Sequence, residues 1–280
     1  MPAFEALCNA FGTAGTGGFG VRNDSFASYS PYLQNVTTVF MFLFGVNFSC
    51  YYLLMLRQWG AVFKDEELRA YFGIALCSAL LITWNVRGFY GSWGETFRHA
   101  AFQVSSIMTT TGFATTDFDL WPSFSKTILL CLMGVGASAG STGGGIKVSR
   151  VLLLFKSLRR SFLLMLHPRR VNMVRSNGQV VDDKIVEATN AYLIAYIFIL
   201  FISFLVLSLD DFSTGTNFSA VLCCFNNIGP GLEAVGPTCN FSDFGALSKL
   251  VLLLDMLLGR LEIFPIRCLL SRHTWRRRVN

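Results

Sequence analysis

Long apolar runs alternate with short amphipathic segments along this chain. A helix needs roughly 20 apolar residues to cross a bilayer, and five runs reach that length: Tyr32–Leu56, Leu68–Val86, Ser123–Leu158, Ile185–Leu209 and Ala246–Leu270. Three shorter segments each run into a glycine-containing turn: Ala3–Phe11, Gly94–Met108 and Gly215–Phe225. This order predicts an all-α polytopic membrane protein with an internal repeat of spanning helix, short helix, turn and spanning helix.

The three turns share a pattern of polar residue, central glycine and small residue. Backbone carbonyls without a hydrogen-bond partner are tolerated at membrane depth only where they line a water-filled path or bind a cation. We therefore expect the turns to line an ion path, with glycine permitting a positive φ or close backbone approach. The predicted residues are Thr16, Gly17, Gly18, Thr110, Thr111, Gly112, Asn227, Ile228 and Gly229. Ordinary glycine turns are the alternative, and Thr13-Ala14-Gly15 is a second possible register for the first turn.

Composition supports a membrane protein. The 280 residues are 52% hydrophobic and 14% charged, with a mean hydropathy of +0.49, whereas soluble domains carry about a quarter charged residues. The net charge of +6 could suggest nucleic-acid binding, but the basic residues gather at the ends of apolar segments and indicate cytoplasmic connections. They include Arg57, Lys64, Arg69, Lys156, Arg159, Arg160, Arg169, Arg170, Arg175, Arg272, Arg276, Arg277 and Arg278.

Acidic residues flank the turns on the predicted outer side. Carboxylates around a pore mouth raise the local cation concentration, although solvated loop charge is the alternative for each one. These residues are Asp24, Asp117, Asp119, Glu233 and Asp243. The three histidines are dispersed, so nothing argues for catalysis. The G-x-G-x-x-G pattern at Gly15–Gly20 follows no predicted strand and does not support nucleotide binding.

Four segments together resemble the bacterial Trk potassium uptake subunits of the TrkH and TrkG type, and the resemblance covers essentially the whole chain. The segments are Ala137–Lys147, Thr109–Thr115, Asn226–Leu232 and Met256–Glu262. The resemblance implies repeated helix–pore-loop–helix units of the K⁺-channel type, a homodimer in the bacterial inner membrane, and cytosolic TrkA-type nucleotide-binding subunits. It also implies that the carbonyls of the three turns replace the hydration shell of K⁺, the transported ion, with no covalent cofactor.

The family pattern has four repeats, and three pore loops are present here. We expect a second repeat without its first helix over residues 1–56, a third over 57–175 and a fourth over 176–280. A filter of four segments cannot close with three, so the chain alone is expected to conduct poorly or not at all unless the remaining part is supplied. Two alternatives stay open: K⁺ symport coupled to H⁺ or Na⁺, with Asp255 as a testable proton site, and a non-conducting remnant or interaction subunit.

A glycine-rich run interrupts the third long apolar segment, where glycine costs about 1 kcal/mol per residue relative to alanine in a helix. The resemblance implies a flexible gating loop below the filter, and a kink for packing is the alternative. The predicted gating residues are Gly140, Ser141, Thr142, Gly143, Gly144, Gly145, Lys147 and Arg260. Lys147 would anchor the loop, and Arg260 would act as a cation barrier, because ionisable residues inside a membrane segment are functional candidates. A structural ion pair is the alternative for Arg260.

Overall fold

The computed structural model describes residues 1–167, 172–261 and 263, and it is predominantly helical, as predicted. The helices are α1 (Ala3–Ala14), α2 (Pro31–Phe44), α3 (Phe48–Met55), α4 (Trp59–Lys64), α5 (Glu66–Asn85), α6 (Trp93–Met108), α7 (Ser123–Val135), α8 (Val148–Leu166), α9 (Asp183–Leu207), α10 (Thr214–Phe225) and α11 (Ala246–Leu261). Strands β1 (Arg175–Ser176) and β2 (Gln179–Val180) form a small antiparallel hairpin.

The three predicted short helices are α1, α6 and α10. Their observed bounds differ from the predicted ones by at most three residues. Serine caps the first turn of two of them, because Ser92 Oγ accepts from Glu95 N at 3.2 Å and Ser213 Oγ accepts from Thr216 N at 3.0 Å. Such caps satisfy N–H groups that lack an intrahelical partner. Helices α6 and α10 therefore have defined starts before they reach their turns, whereas α1 has no side-chain cap at its start.

Two of the predicted spans, α5 and α9, are continuous helices long and apolar enough to cross a membrane. The predicted helix Tyr32–Leu56 is wrong as a single element, because α2 and α3 meet at a 90° bend. Asn47 caps the start of α3, since its Oδ1 accepts from Ser49 N at 2.9 Å. At Gly45, just before the bend, an added methyl group would lie closer than 3.0 Å to the Tyr71 hydroxyl.

The predicted interruption of the apolar segment Ser123–Leu158 is confirmed, because the segment is divided into α7 and α8. The break begins at Gly136, four residues before the predicted glycine run, and ends at Lys147. Both of these residues have positive φ, +75° and +78°, so neither continues a right-handed helix. The predicted helix Ala246–Leu270 is observed through Leu261. The sequence-predicted residues outside the described part are Arg169, Arg170, Glu262, Arg272, Arg276, Arg277 and Arg278.

Two of the short helices, α6 and α10, form the interior of the molecule, whereas α1 is largely exposed. The second half of α6 is buried from His99 to Met108, where α2, α5 and α7 pack around it. Helix α10 packs against α9 and α11. Large apolar side chains such as Phe198 and Leu253 are exposed on the outer helices, as expected for surfaces that face lipid.

Candidate functional site

Helices α1, α6 and α10 end in the same backbone arrangement. The left-handed residue after each helix has φ of +48° at Thr16, +57° at Thr110 and +57° at Asn227. Its N–H donates to the carbonyl three residues earlier, and the next N–H donates to the carbonyl five residues earlier. These longer bonds, at 2.8–2.9 Å, join Gly17 N to Gly12 O, Thr111 N to Ser106 O, and Ile228 N to Cys223 O. All three ends are therefore Schellman caps.

Glycine lies two residues after the left-handed residue in every turn. Its φ is +68° at Gly18, +86° at Gly112 and +107° at Gly229. A methyl group added at Gly18 would lie closer than 3.0 Å to the Thr111 carbonyl oxygen, and one at Gly112 equally close to the Ile228 carbonyl oxygen. No described atom lies within 4 Å of a methyl group at Gly229. The first turn therefore packs on the second, and the second on the third.

The first turn matches the other two in the register Thr16–Gly18. In the alternative register, Thr13–Gly15, the turn glycine would be Gly15, but this residue has an ordinary right-handed φ of −83°. It occupies the cap position that Thr109 and Asn226 hold in the other turns. The shared cap thus favours Thr16, Gly17 and Gly18 as the equivalents of the later segments.

Two of the left-handed residues are threonines, which rarely adopt this conformation because they are β-branched. Sparsely populated backbone conformations cost about 1–3 kcal/mol each and persist where the surroundings over-determine them. Both hydroxyls form hydrogen bonds with backbone atoms of the segment between α7 and α8. Thr16 Oγ1 donates to the Thr142 carbonyl at 2.8 Å, and Thr110 Oγ1 accepts from Gly144 N at 2.7 Å.

Residues 136–147, which we call the intramembrane loop, thus lie directly against the turns. A methyl group at Gly143 would overlap the Ala137 side chain, and one at Gly144 would overlap the Asn226 carbonyl. Close packing against a side chain at Gly143 and against a backbone carbonyl at Gly144 therefore requires glycine at both positions. The loop also stabilises itself, since Ser141 Oγ donates to the Ser138 carbonyl at 2.6 Å.

Arg260 on α11 reaches the centre of this loop. Its guanidinium donates to the Thr142 carbonyl at 3.0 Å, the same oxygen that accepts from Thr16. A cavity of about 150 Å³ opens here. Its lining consists of Ser141, Thr142, Gly143, Gly144, Gly145, Lys147, Gly259 and Arg260. The structure therefore brings together Arg260 and the sequence-predicted gating residues that line this cavity, with Gly140 elsewhere in the same loop.

A family described as TrkH, cation transport protein, matches residues 91–274, which is more than half of the chain. The chain belongs to the TrkH family. It is 35% identical over 284 residues to the Trk system potassium uptake protein TrkH of Salmonella typhimurium, and 33% identical over 285 residues to TrkG of Escherichia coli K12. Both alignments include 99% of this chain, which spans 58% and 57% of those relatives.

A solved structure agrees with this family membership. The crystal structure of the potassium transporter TrkH from Vibrio parahaemolyticus matches with a TM-score of 0.89 and 34% sequence identity. The match covers 99% of this chain and 60% of that one. The TrkH-family chain described here is therefore a polytopic membrane protein built from pore-loop units.

The predicted outer carboxylates have structural contacts of their own. Asp119 pairs with Lys126 at 3.4 Å. Glu233 accepts from the hydroxyls of Ser213 and Thr216, and these bonds hold the pKa of its carboxyl below the usual range despite partial burial. At least these two carboxylates therefore also stabilise their loops.

Two residues that the sequence interpretation missed join the site to the helices around it. Gly259 of α11 packs on the end of α10, because a methyl group there would overlap the Phe225 carbonyl. The sequence feature that could have indicated this contact is a glycine beside Arg260, in a part of the helix that otherwise carries large side chains. Glu67 accepts from Ala139 N within the intramembrane loop and from Ser149 N in the first turn of α8, just beyond the loop. Glu67 belongs to an acidic run that is typical of a helix start, so sequence reasoning did not predict its contacts with the loop.

Proposed function

We propose that this chain forms part of the pore of a potassium uptake protein in the bacterial inner membrane. The observation that carries the proposal is the threefold Schellman turn, with Gly18 packed on a carbonyl of the second turn and Gly112 packed on a carbonyl of the third. The carbonyls of residues 16–18, 110–112 and 227–229 would replace the hydration shell of K⁺. Helices α1, α6 and α10 end at these turns, and their negative C-terminal ends favour a cation there.

The intramembrane loop is the proposed gate. Thr16 and Thr110 bond it to the turns, and Arg260 bonds it to α11, so a movement of the loop would change contacts on both sides. Because Arg260 lines the cavity beside the loop, its positive charge would oppose the entry of a cation. Opening would then require the loop and Arg260 to separate.

A homodimer and cytosolic TrkA-type nucleotide-binding subunits complete the proposed assembly. The support is family membership and the placement of basic residues in the connections. Lys156 and Arg160 lie on α8, and Arg175 lies on the following hairpin, as the positive-inside rule expects for the cytoplasmic side. The basic residues thus belong to membrane topology in this proposal and bind no nucleic acid.

Complementation tests the proposal. The chain is produced in a bacterium that lacks K⁺ uptake, either alone or joined to the part of the Salmonella TrkH that it does not match. We expect growth at low K⁺ for the joined protein, loss of growth with Gly112→Val, and little or no growth for the chain alone. A joined protein that reaches the membrane without supporting growth would contradict the proposal, and growth with the chain alone would exclude the non-conducting alternative.

Coupled uptake is a second candidate because of one buried carboxyl group. Asp255 of α11 is 2% exposed, and its Oδ1 accepts from Ser203 Oγ at 2.9 Å. Its Oδ2 has no partner among the described residues. If Asp255 carries a coupling proton, Asp255→Asn in the joined protein removes the pH dependence of K⁺ uptake. An unchanged pH profile would exclude this role.

A further inference from the structure

The two ends of the intramembrane loop are held together at its base. Lys147 N donates to the Val135 carbonyl and Val148 N donates to the Ala137 carbonyl, each at 3.0 Å. A loop with adjoining ends and its own internal packing is an Ω-like element that can move as a unit. Whatever fixes its base therefore controls the position of the whole loop.

One carboxylate oxygen spans this base from a different helix. Glu67 Oε1, in the first turn of α5, accepts from Ala139 N at 2.7 Å and from Ser149 N at 3.1 Å. Ser149 is the second residue of α8, where N–H groups lack intrahelical partners and a negative charge is favourable. The bond to Ala139 contributes nothing to α8, so this carboxylate does more than cap a helix.

Helix α5 is a suitable support for such a contact. It is continuous over 20 residues and packs against α6, the helix that ends in the turn at Thr110. Thr110 in turn binds the loop at Gly144. The loop is thus attached at its base through Glu67 and at its centre through Thr110.

The tip of the β1–β2 hairpin fixes the start of α5. Asn177 and Gly178 both have positive φ, +50° and +79°, as in a type I′ turn. Asn177 Oδ1 accepts from Glu66 N at 2.8 Å, and its Nδ2 donates to Asp65 Oδ2 at 2.9 Å. The hairpin therefore contacts the two residues that immediately precede Glu67.

We propose that Glu67 is the positioning residue of the intramembrane loop, and that the hairpin tip at Asn177 keeps Glu67 in place. A partner that moves the hairpin on the proposed cytoplasmic side would thereby shift the base of the loop. The effect on K⁺ flux rests on the proposed gating function, whereas the contact itself does not.

Hydrogen–deuterium exchange of the purified chain tests the contact without requiring conduction. Loss of two charge-assisted bonds in Glu67→Ala should speed amide exchange in peptides over residues 137–149 by about tenfold, and Glu67→Gln, which keeps an acceptor oxygen, should restore part of the protection. Glu66→Ala is the matched control: it removes the neighbouring carboxylate and its pair with Lys156 but leaves the loop bonds. Exchange within about twofold of the original chain in Glu67→Ala, or an equal rise in Glu66→Ala, would overturn the proposal.

Asn177→Gly tests the hairpin and avoids any folding defect of the Glu67 variants. Glycine keeps the turn conformation but removes both side-chain bonds, so exchange over residues 137–149 should rise by about threefold. Unchanged exchange there would overturn the role of the hairpin. In the joined protein, Glu67→Ala should raise the maximal K⁺ uptake per molecule without changing the KM, because the turns are untouched. A changed KM would contradict positioning, and absent uptake in the unsubstituted protein would instead count against the proposed function.

Discussion

Substitution of the glycines in the three turns tests their packing most sharply. Gly112 and Gly229 occupy equivalent positions with positive φ, +86° and +107°. Alanine at either one is strained, but their surroundings differ. A methyl group at Gly112 would overlap the Ile228 carbonyl, whereas one at Gly229 would meet no described atom within 4 Å. The pair therefore separates backbone strain from contact between turns.

The expected magnitudes follow from these two terms. A non-glycine residue in a left-handed conformation costs about 1–2 kcal/mol, which is the whole effect expected for Gly229→Ala. Overpacking adds about 1–3 kcal/mol, so Gly112→Ala should lower the free energy of unfolding by about 2–5 kcal/mol. The same calculation applies to Gly18→Ala, which would overlap the Thr111 carbonyl.

Equilibrium unfolding of the purified chain in mixed micelles, with a rising fraction of SDS, measures these differences. We expect Gly112→Ala and Gly18→Ala to unfold at clearly lower SDS fractions than Gly229→Ala. Equal destabilisation by Gly112→Ala and Gly229→Ala would refute the packing of the second turn on the third, since strain alone would then explain both variants.

Three further substitutions test other parts of the site. Thr16→Val keeps the shape of the side chain but leaves the Thr142 carbonyl without this donor, so it should cost about 1 kcal/mol in the same unfolding assay; no change would exclude a stabilising bond. Arg260→Gln in the joined protein should raise K⁺ flux, measured as initial uptake, and unchanged flux would contradict a cation barrier. Glu233 has a lowered pKa, so its stabilising effect is present above the ordinary value of 4.5 and is lost as the pH falls through the folded pKa. Glu233→Gln should therefore be less stable by about 0.5–1 kcal/mol at pH 7, and the gap should close below pH 4.5; a gap independent of pH would show that charge plays no part.

The sequence predicted the short helices and their turns because local signals define them. Glycine, a polar residue before it and an amphipathic segment upstream are all contained within about 20 residues. The Schellman caps use these same residues, and they explain why the turns at Thr16 and Thr110 correspond. The left-handed conformation of the two threonines was beyond prediction, because local preference opposes it and contacts with the intramembrane loop accompany it.

Long-range contacts account for what the sequence did not reveal. The bend between α2 and α3 depends on Gly45 meeting Tyr71, which lies on a helix further along the chain. The early break at Gly136 depends on the backbone of residues 144 and 145, which packs against it. Glu67 binds amides more than 70 residues away. Periodicity records which segments are apolar, but not which of them meet, so these features required the three-dimensional structure.

The location of a bound permeant ion tests the central claim most directly. Rb⁺ is a heavier substitute for K⁺, and its anomalous scattering identifies it in crystals of the joined protein. The account predicts Rb⁺ beside the carbonyl oxygens of residues 16–18, 110–112 and 227–229, and no such peak when Na⁺ replaces Rb⁺. Rb⁺ bound elsewhere, with none at these three turns, would contradict the account.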